Sequence, residues 1–231
     1  ITDFDAVGSL DDFGGIVSEG TYDFGGTAGG DTLDLGGVFS LDLKRHFLTE
    51  GFYPSDLFDS RGLIDDITDF DGLTATEVNA EMLVRVTQDN PSGSPTYTAF
   101  QTFANGTYKG RGFQFRAKLT STDTAQDIKV SQLGYTASLQ RRTEQGNVIA
   151  SGAGAKAVTF TNPFFVGTSS LLGANTNLPS VGINAQNMAS GDFFEVSRVS
   201  GTGFTVHFKN SSNASIDRNF TYQAVGFGKG G

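Results

Sequence analysis

A strict alternation of apolar and polar side chains in the middle of the chain constrains its fold more than any other feature. Within Tyr108–Tyr135, the apolar residues Phe113, Phe115 and Ala117 alternate with polar and charged neighbours. This period of two predicts a β-strand with one face inward and a charged face outward. The polar segment 121–127 interrupts the pattern before a second extended segment begins. The stretch therefore predicts two strands of a β-sandwich joined by a solvated loop.

The composition favours strands and turns throughout the chain. Of the 231 residues, 31 are glycine and 21 are phenylalanine, and tryptophan and cysteine are absent. High glycine and aromatic content without a long run of Leu, Ala, Glu and Lys is typical of strands and turns rather than helices. Because cysteine is absent, the chain has no disulfide framework, no thiolate metal site and no thiol nucleophile. No apolar run approaches the roughly 20 residues that a membrane span needs.

The formal net charge of −9 is concentrated in the first third of the chain. Residues 1–73 contain 16 acidic and three basic residues, whereas the remainder is slightly basic. Since no basic stripe is available to displace counterions from phosphates, nucleic-acid binding is not expected. Asp3, Asp5, Asp69 and Asp71 resemble the start of calcium loops that lack their later ligands. No cofactor is expected, and Ca²⁺ held by these acids stays open as an alternative.

The pattern of apolar residues predicts an all-β protein of two consecutive antiparallel β-sandwiches with little helix. The first sandwich is predicted over 1–145 and begins with an acidic segment rich in Gly and Asp. Alternating runs at 33–47 and 81–88 predict strands, the former interrupted by a bulge or a tight turn. The intervening residues 48–80 are predicted to form a long polar connection that packs against the sandwich.

The second sandwich is predicted over 146–231, after a composition shift at 140–155 that is typical of a domain boundary. It contains six short strand candidates separated by turn-forming residues. The candidates are 158–160, 164–166, 181–183, 193–199, 204–208 and 220–227. A sandwich of this size is only marginally stable alone, so oligomerisation is expected to support it.

The sequence contains no constellation of residues that indicates catalysis. Only two histidines are present, His46 and His207, and each lies in a strand-like run where a structural role is favoured. No G-x-S-x-G elbow occurs. The terminal run 226–231 formally matches G-x-G-x-x-G, but no helix follows it, so a phosphate-binding role is rejected. The chain is therefore predicted not to be an enzyme.

Three segments of the first domain resemble discoidin-type, galactose-binding-like β-sandwiches. They are L-D-L-G at Leu33–Gly36, the strand and polar turn Met82–Pro95, and Y-K-G-R-G-F-Q-F-R-A-K-L at Tyr108–Leu119. In that family an arginine-bearing strand comes late and supports the core, and Arg111 and Arg116 match it. The resemblance implies structural roles for both arginines. Given the acidic first third of the chain, we expect them to pair with its carboxylates.

A late strand that reads G-x-Y-x-G-R-x-F-Q-F-R-A-x-L-T-S, at 106–121, is followed by a terminal pattern that reads G-F-x-V-x-F and then R-x-F-x-Y-x-A-x-G-F-G. This combination resembles the C-terminal regions of tailed-bacteriophage tail-tip attachment and tail-fibre proteins. The terminal pattern is formed by Gly203, Phe204, Val206, Phe208, Arg218, Phe220, Tyr222, Ala224, Gly226, Phe227 and Gly228. This terminal module also resembles the H-type lectin sandwich, which is a homotrimer. The resemblance implies structural roles for Phe204, Phe220 and Tyr222 and carries no catalytic residues.

Together the resemblances imply a non-enzymatic virion protein of a phage tail, with a structural role, a role in host attachment, or both. The expected partners are further copies of the chain in a homotrimer, other tail proteins, and a bacterial cell-surface receptor or glycan. Because exposed loops commonly carry binding residues, receptor contacts are predicted in the loops 169–178, 186–191 and 209–216. The candidate residues are Asn175, Asn177, Asn187, Asn210 and Asn213.

Two alternatives to this interpretation stay open at the level of sequence. One is a carbohydrate-binding accessory module of a bacterial secreted protein, which would act as a monomer on soluble polysaccharide. The other is a purely structural tail component, which would bind no cells. For each of the candidate loops, a plain solvated turn is also an alternative.

Overall fold

The computed structural model describes residues 18–24, 31–53, 75–123, 126–167 and 177–230. Within these ranges the chain forms antiparallel strands and no helix, which confirms the all-β class and its sandwich type of packing. The strands are β1 (Ser18–Asp23), β2 (Leu33–Phe52), β3 (Val78–Thr87), β4 (Gln101–Thr102), β5 (Gly106–Ser121), β6 (Asp127–Ser138), β7 (Arg141–Ala150), β8 (Lys156–Thr159), β9 (Ser180–Ala185), β10 (Phe193–Ser197), β11 (Gly203–Lys209), β12 (Asn219–Phe227) and β13 (Lys229–Gly230).

The first unit is one seven-stranded antiparallel sheet. Its strands follow the order β13–β2–β5–β3–β4, while β1 pairs with β5 and β6 pairs with β2. The two longest strands change partners along their length. β2 pairs first with β5 and then with β6 from Asp42 to Phe52. β5 pairs first with β2 and then lies between β1 and β3. These changes of partner allow the sheet to fold over on itself.

The core of the first unit forms between the two layers of this folded sheet. Phe113, Phe115 and Ala117 are buried there, on the predicted inward face of β5. Tyr135 of β6 stacks on Phe115 of β5 with ring centroids 3.9 Å apart. Because β6 pairs with β2 and not with β5, this contact joins the two layers. The other members of this buried core are Leu35, Phe39, Leu41, Leu43, Met82, Val84, Val86, Phe103 and Phe165.

A bulge near the start of β2 lets this strand change course. Its register with β5 shifts between Asp34 and Phe39. Gly36, inside the bulge, has a left-handed φ of 74°, and its N–H donates to the Asp34 carboxylate at 2.8 Å. Glycine adopts such a φ without the steric cost of a Cβ, and a bulge bends its strand locally. The Gly-Gly pair that follows L-D-L thus marks a bulge within one strand.

The second unit is a sandwich of two three-stranded antiparallel sheets, in the orders β10–β11–β8 and β7–β12–β9. Inward residues of β11 and β12 meet between the sheets. Phe208 and Phe220 are fully buried, with ring centroids 5.6 Å apart, and Phe204 meets Tyr222 edge-on at 5.2 Å. The other buried members of this core are Val158, Phe160, Phe164, Val206 and Ala224. Phe204, Phe220 and Tyr222 therefore occupy one apolar core.

The predicted boundary region contains the first strand of the second unit. Within the composition shift at 140–155, Arg141–Ala150 forms β7 and pairs along β12. The domain boundary drawn between residues 145 and 146 falls inside this strand. The strand candidate 164–166 contributes a single bridge, from Phe165 to Phe227, rather than a strand.

The predicted long connection at 48–80 is shorter than expected at both ends. β2 continues to Phe52 and β3 begins at Val78. These two ends lie close together, because a Cβ added to Gly51 would meet the Val78 side chain at 2.6 Å. Residues 54–74 of the predicted connection lie outside the described residues.

The end of the chain returns to the first unit. β13 pairs with β2 opposite Phe39 and Ser40. The rings of Phe39 and Phe165 meet edge to face at 5.8 Å. Gly228 lies against both residues with a left-handed φ of 87°, and a Cβ there would meet Phe39 at 2.9 Å. The glycine-rich tail therefore packs against the first sheet at a position that requires glycine.

Candidate functional site

β5 carries the two arginines for which structural roles are predicted. Arg111 pairs with Asp34 at 3.0 Å, and Arg116 pairs with Asp23 through both Nε and Nη2. Both acids belong to the acidic first third of the chain. The side chains of the Arg116–Asp23 pair are only 29% and 13% exposed. These charges are thus balanced within the first unit.

The charged face of β5 is covered by the segment that precedes β4. The guanidinium of Arg85 lies 4.8 and 4.7 Å from the ring centroids of Tyr97 and Phe100. Arg116 also lies over the Phe100 ring, at 4.3 Å. Gln114 is only 8% exposed and accepts a hydrogen bond from Arg85 at 2.7 Å. The face that the sequence predicts to meet solvent is therefore covered and internally bonded.

The asparagines predicted to contact a receptor lie mostly in turns of the second unit. Asn175 lies outside the described residues, and Asn177 is half-buried. Asn210 accepts hydrogen bonds from two N–H groups of its own loop. Asn187 and Asn213 are exposed with left-handed φ values of 56° and 63°, a conformation that asparagine tolerates better than most residues. The side chain of Asn210 is thus engaged in its turn, whereas those of Asn187 and Asn213 face solvent.

A cleft of about 600 Å³ lies where β3 and β5 diverge. Several polar groups that line this cleft form hydrogen bonds with other residues of the first unit. The Thr87 hydroxyl donates to the Thr96 carbonyl, and the Asp89 carboxylate accepts from the Thr96 N–H at 2.8 Å. The Thr107 hydroxyl donates to Asp42 at 2.6 Å. We call this the threonine cleft, lined by Val86, Thr87, Gln88, Asp89, Thr96, Thr98, Gln101, Thr107, Tyr108 and Lys109.

A second cleft, of about 390 Å³, lies on the outer surface of the β7–β12–β9 sheet. β12 is the central strand, and its register places Gln145, Gln223 and Gly182 in one row across the sheet. In the neighbouring row Thr221 lies opposite Asn184. We define the amide face as Gln145, Asn147, Asn184, Thr221 and Gln223, with Gly182 of β9 beside Gln223.

The alternation of β12 places these side chains on the outside. Tyr222 and Ala224 are buried in the core, so Thr221 and Gln223 point to the opposite side of the sheet. A Cβ at Gly146 of β7 would lie 2.2 Å from the Tyr222 ring. Glycine at this position therefore lets the ring pack while β7 keeps its neighbouring polar side chains outward.

The polar side chains of the amide face are available to another molecule. Gln145, Asn147, Asn184 and Gln223 are all exposed, and none of them forms a side-chain hydrogen bond within the described part of the chain. Each amide offers two N–H donors and a carbonyl acceptor. No charged side chain lines the cleft. The amide face is thus an uncharged hydrogen-bonding surface.

An ion pair on the inner side of β7 links this strand to residues outside the sheet. Arg142 pairs with Glu144 at 3.0 Å and donates from Nε to the Gly228 carbonyl at 2.7 Å. Glu144 also accepts hydrogen bonds from the N–H groups of Thr161 and Asn162. Burial raises the pKa of Glu144, but the bonds from Thr161, Arg142 and Asn162 outweigh it and hold the pKa below its ordinary value.

The two histidines have hydroxyl partners on the surface. His46 Nε2 lies 2.7 Å from the Thr136 hydroxyl, and His207 Nε2 lies 2.8 Å from that of Ser215. In the ranges that the structure describes, no three His, Asp or Glu side chains form a group that could hold a metal. The acids considered for Ca²⁺ lie outside these ranges. Of the described segments, none is a helix long and apolar enough to cross a membrane.

Comparison of the chain with protein families, with curated proteins and with solved structures finds no match. The fold and the site define an all-β protein of sandwich type, with an uncharged polar cleft on its second unit. Sequence reasoning missed the amide face because its members come from three strands that are distant in sequence. The available signal was the repeated polar alternation Q-x-N in β7, G-x-N in β9 and T-x-Q in β12.

Proposed function

We propose that this chain is a non-enzymatic virion protein of a bacteriophage tail, in the fibre or the tip. It serves as a structural element and attaches the particle to a glycan on the surface of the bacterial host. Its other partners are neighbouring tail proteins. The support comes from the resemblance of two sequence regions, together with the positions that their residues occupy in the fold.

The arrangement of the terminal motif is the observation that carries this proposal. Phe204, Val206 and Phe208 lie on the inner face of β11, and Phe220 and Tyr222 lie on that of β12. The residues that resemble tail-fibre endings therefore form the two facing layers of one small core. A motif of this kind specifies a compact terminal module rather than a catalytic site.

Exposed aromatic residues support the homotrimer that we propose for the chain. β10 is an edge strand, and its Phe193 and Phe194 are each 39% exposed. Apolar side chains on an open sheet edge favour association with another chain. Three copies would cover these residues and would also present each binding surface three times, which raises avidity above single-site affinity.

Attachment is assigned to exposed polar groups of the second unit. The loop candidates Asn177, Asn187, Asn210 and Asn213 belong to this proposal, and Asn187 and Asn213 have the most accessible side chains. Asn187→Ala tests one of these loops directly, although loss of a left-handed asparagine also strains the turn. Asn187→Gly is the matched control, because glycine keeps the turn and removes only the side chain.

Two measurements on the purified chain test the proposed function. Light scattering gives its mass in solution, and flow cytometry measures binding of the labelled protein to whole bacterial cells of a host panel. We expect a trimer that binds the cells of a restricted set of strains. The double variant Phe193→Ser, Phe194→Ser should be a monomer with weaker cell binding, since avidity is lost.

Other outcomes would contradict the proposal in distinct ways. A monomer that binds soluble polysaccharide would favour the accessory module of a bacterial secreted protein. A trimer that binds none of the cells would restrict the role to tail structure. A monomer that binds neither cells nor polysaccharide would overturn the proposal as a whole.

A further inference from the structure

The threonine cleft and the amide face differ in how their polar groups are used. In the threonine cleft, Thr87, Asp89 and Thr107 bond to other parts of the same unit. On the amide face, the side chains of Gln145 and Gln223 make no such bonds within the described residues. The threonine cleft mixes these engaged groups with the unengaged side chains of Gln88, Gln101 and the charged Lys109, whereas all four amide side chains of the amide face are unengaged within the described residues.

The amide face has no charge with which to recognise an ionic ligand. Every side chain that lines it is neutral. Along β7 the next outward charged residue is Arg141, four residues from Gln145 and thus about 13 Å away. A phosphate or carboxylate group bound at the amides would lose hydration without gaining an opposite charge. Nucleic acids and acidic ligands are therefore disfavoured here.

The dimensions of the amide face suit a small molecule better than a protein. Two neighbouring rows on three strands cover about 7 by 10 Å, from the rise of a strand and the spacing between strands. A stable protein interface needs about 800 Å² on each partner. The cleft volume of about 390 Å³ lies within the range of small-ligand sites.

The chemistry of the amides selects among neutral small ligands. A planar amide donates from nitrogen and accepts at oxygen, so it can engage two adjacent hydroxyl groups at once. Two amides, Gln145 and Gln223, lie directly opposite each other across β7 and β12. In the neighbouring outward row, the amide of Asn184 lies opposite the hydroxyl of Thr221 across β9 and β12. Arrays of adjacent hydroxyl groups at such spacing are characteristic of saccharides.

We propose that the amide face binds a neutral oligosaccharide, with Gln145, Gln223 and Asn184 as its main hydrogen-bonding residues and Gly182 as the floor. The inference rests on the proposed function, because it names the surface and the glycan class through which attachment occurs. It places the contact on the sheet surface rather than in the asparagine loops. Gly182 leaves the floor open, since the nearest atom to a Cβ there would be 3.8 Å away.

Filling the floor of the cleft gives a test that leaves the fold intact. Gly182→Ile places a bulky side chain on the exposed face of β9, where isoleucine is a good strand former. Gly134→Ile in β6 is the matched control, because a Cβ there meets no atom within 4 Å, and the nearest atom at Gly182 is likewise no closer than 3.8 Å. A third variant, Gln223→Ala, removes one amide without filling the space. Circular dichroism confirms that all three fold like the parent chain.

The probes are printed neutral oligosaccharides and printed acidic oligosaccharides, and calorimetry then measures the affinity of the best-bound neutral compound. We expect binding to neutral compounds, with at least a tenfold loss for Gly182→Ile, about 1.4 kcal/mol. Gln223→Ala should also lose about tenfold, and Gly134→Ile should bind like the parent chain. In NMR spectra, the side-chain amide signals of Gln145, Asn184 and Gln223 should shift on binding.

Preference for acidic compounds, or equal affinity of Gly182→Ile and the parent chain, would overturn the inference. So would the absence of binding to any printed glycan. If the chain still binds whole cells when any of these three results is found, the proposed attachment function stands and only its assignment to the amide face fails. If the chain binds a neutral glycan at the amide face but binds no cells, the proposed attachment function fails and the assignment of a glycan site to the amide face stands.

Discussion

A glutamine on the outer face of the first unit is buried and hydrogen-bonded, whereas a glutamine on the outer face of the second unit is exposed and unbonded within the described residues. Gln114 on β5 is 8% exposed and is bonded to Arg85 and to the Thr32 hydroxyl. Gln223 on β12 is exposed and makes no side-chain bond within the described residues. Each glutamine lies on a strand with neighbours on both sides, and each is flanked along the chain by two buried apolar residues. The local sequence pattern is therefore alike, while the surroundings differ.

This difference separates polar residues that hold the fold from polar residues that can bind. A buried polar group has to find a partner in the protein, because leaving it without one costs about 1–3 kcal/mol. The first unit meets this requirement by covering β5 with aromatic rings and carboxylates. The second unit leaves its amides to solvent, where exchange with a ligand costs little. Stability should thus depend on the outer face of the first unit and not on that of the second.

The largest effects are expected inside the cores, where the two units should behave alike. Phe115→Ala removes a ring that is 1% exposed, and Phe220→Ala removes one that is fully buried. Each should lower the free energy of unfolding by about 3–5 kcal/mol through lost burial and a residual cavity. Urea titration followed by circular dichroism measures the loss. Val148→Ala, at a side chain that is 61% exposed, is the control.

A loss below about 1 kcal/mol for either phenylalanine would contradict the packing of that core, since large buried side chains rarely cost so little to remove. A loss in one unit that leaves the other folded would appear as a second transition. That result would show that β13 and the Phe39–Phe165 contact do not couple the two units strongly.

Arg116→Ala should produce the next largest effect and separates stability from binding. The variant loses a two-bond pair with Asp23 and a cation–π contact with Phe100. We expect a loss of about 2 kcal/mol in the free energy of unfolding. Cell binding should be unchanged, because the arginine belongs to the covered face.

Lys118→Ala is the matched control for Arg116→Ala. Lys118 lies on the same side of β5, but its partner Glu19 is 49% exposed, so the pair should contribute less than about 1 kcal/mol. Equal effects of the two substitutions would contradict the sheltering of the Arg116 pair. Loss of cell binding by Arg116→Ala at unchanged stability would place the arginine in the binding surface instead.

The sequence predicts inward-facing strands well where alternation is clear. Phe113, Phe115 and Ala117 are buried as their spacing predicts, because one apolar face is sufficient to specify orientation. β7 escaped prediction because its inward positions include Arg142 and Glu144, which pair with each other. Such a strand looks polar on both sides, and only its tertiary partners reveal it.

The candidate site was less predictable than the fold for a related reason. Gln145, Asn184 and Gln223 are unremarkable polar residues until the register of three strands brings them together. Register depends on long-range pairing, which a local pattern does not encode. The cover over Gln114 is equally non-local, since Tyr97 and Phe100 reach Arg85 from a separate segment. The period-two patterns therefore predict which side chains share one face of a strand, but they do not predict which other segments cover that face.

A smaller effect is expected for Glu144→Gln, and it should depend on pH. The folded-state pKa of Glu144 lies below its ordinary value of 4.5, so the unfolded chain takes up its proton first as pH falls. The stabilisation is therefore complete at neutral pH and decreases as pH falls below about 4.5 towards the folded-state pKa. We expect Glu144→Gln to cost about 1 kcal/mol at pH 7, from lost charge-assisted bonds.

Urea midpoints at pH 7 and pH 3.5 measure this dependence. The parent chain should lose more stability between the two values than Glu144→Gln does. Asp192, whose pKa is lowered by bonds from the Ala189 N–H and from Arg218, keeps its own acid dependence in both proteins. Parallel pH profiles for the parent and the variant would contradict the role of Glu144.

The smallest effect should come from Gln223→Ala, and comparison with Gln114→Ala tests the contrast between the two faces directly. Gln114→Ala removes a partner from Arg85 and from Thr32, so we expect a loss of about 1–3 kcal/mol. Gln223→Ala breaks no bond within the described chain and should change stability by less than about 0.5 kcal/mol. Urea titration compares the two. A similar loss from both would mean that Gln223 also supports the fold, and its availability for a ligand would then have to be abandoned.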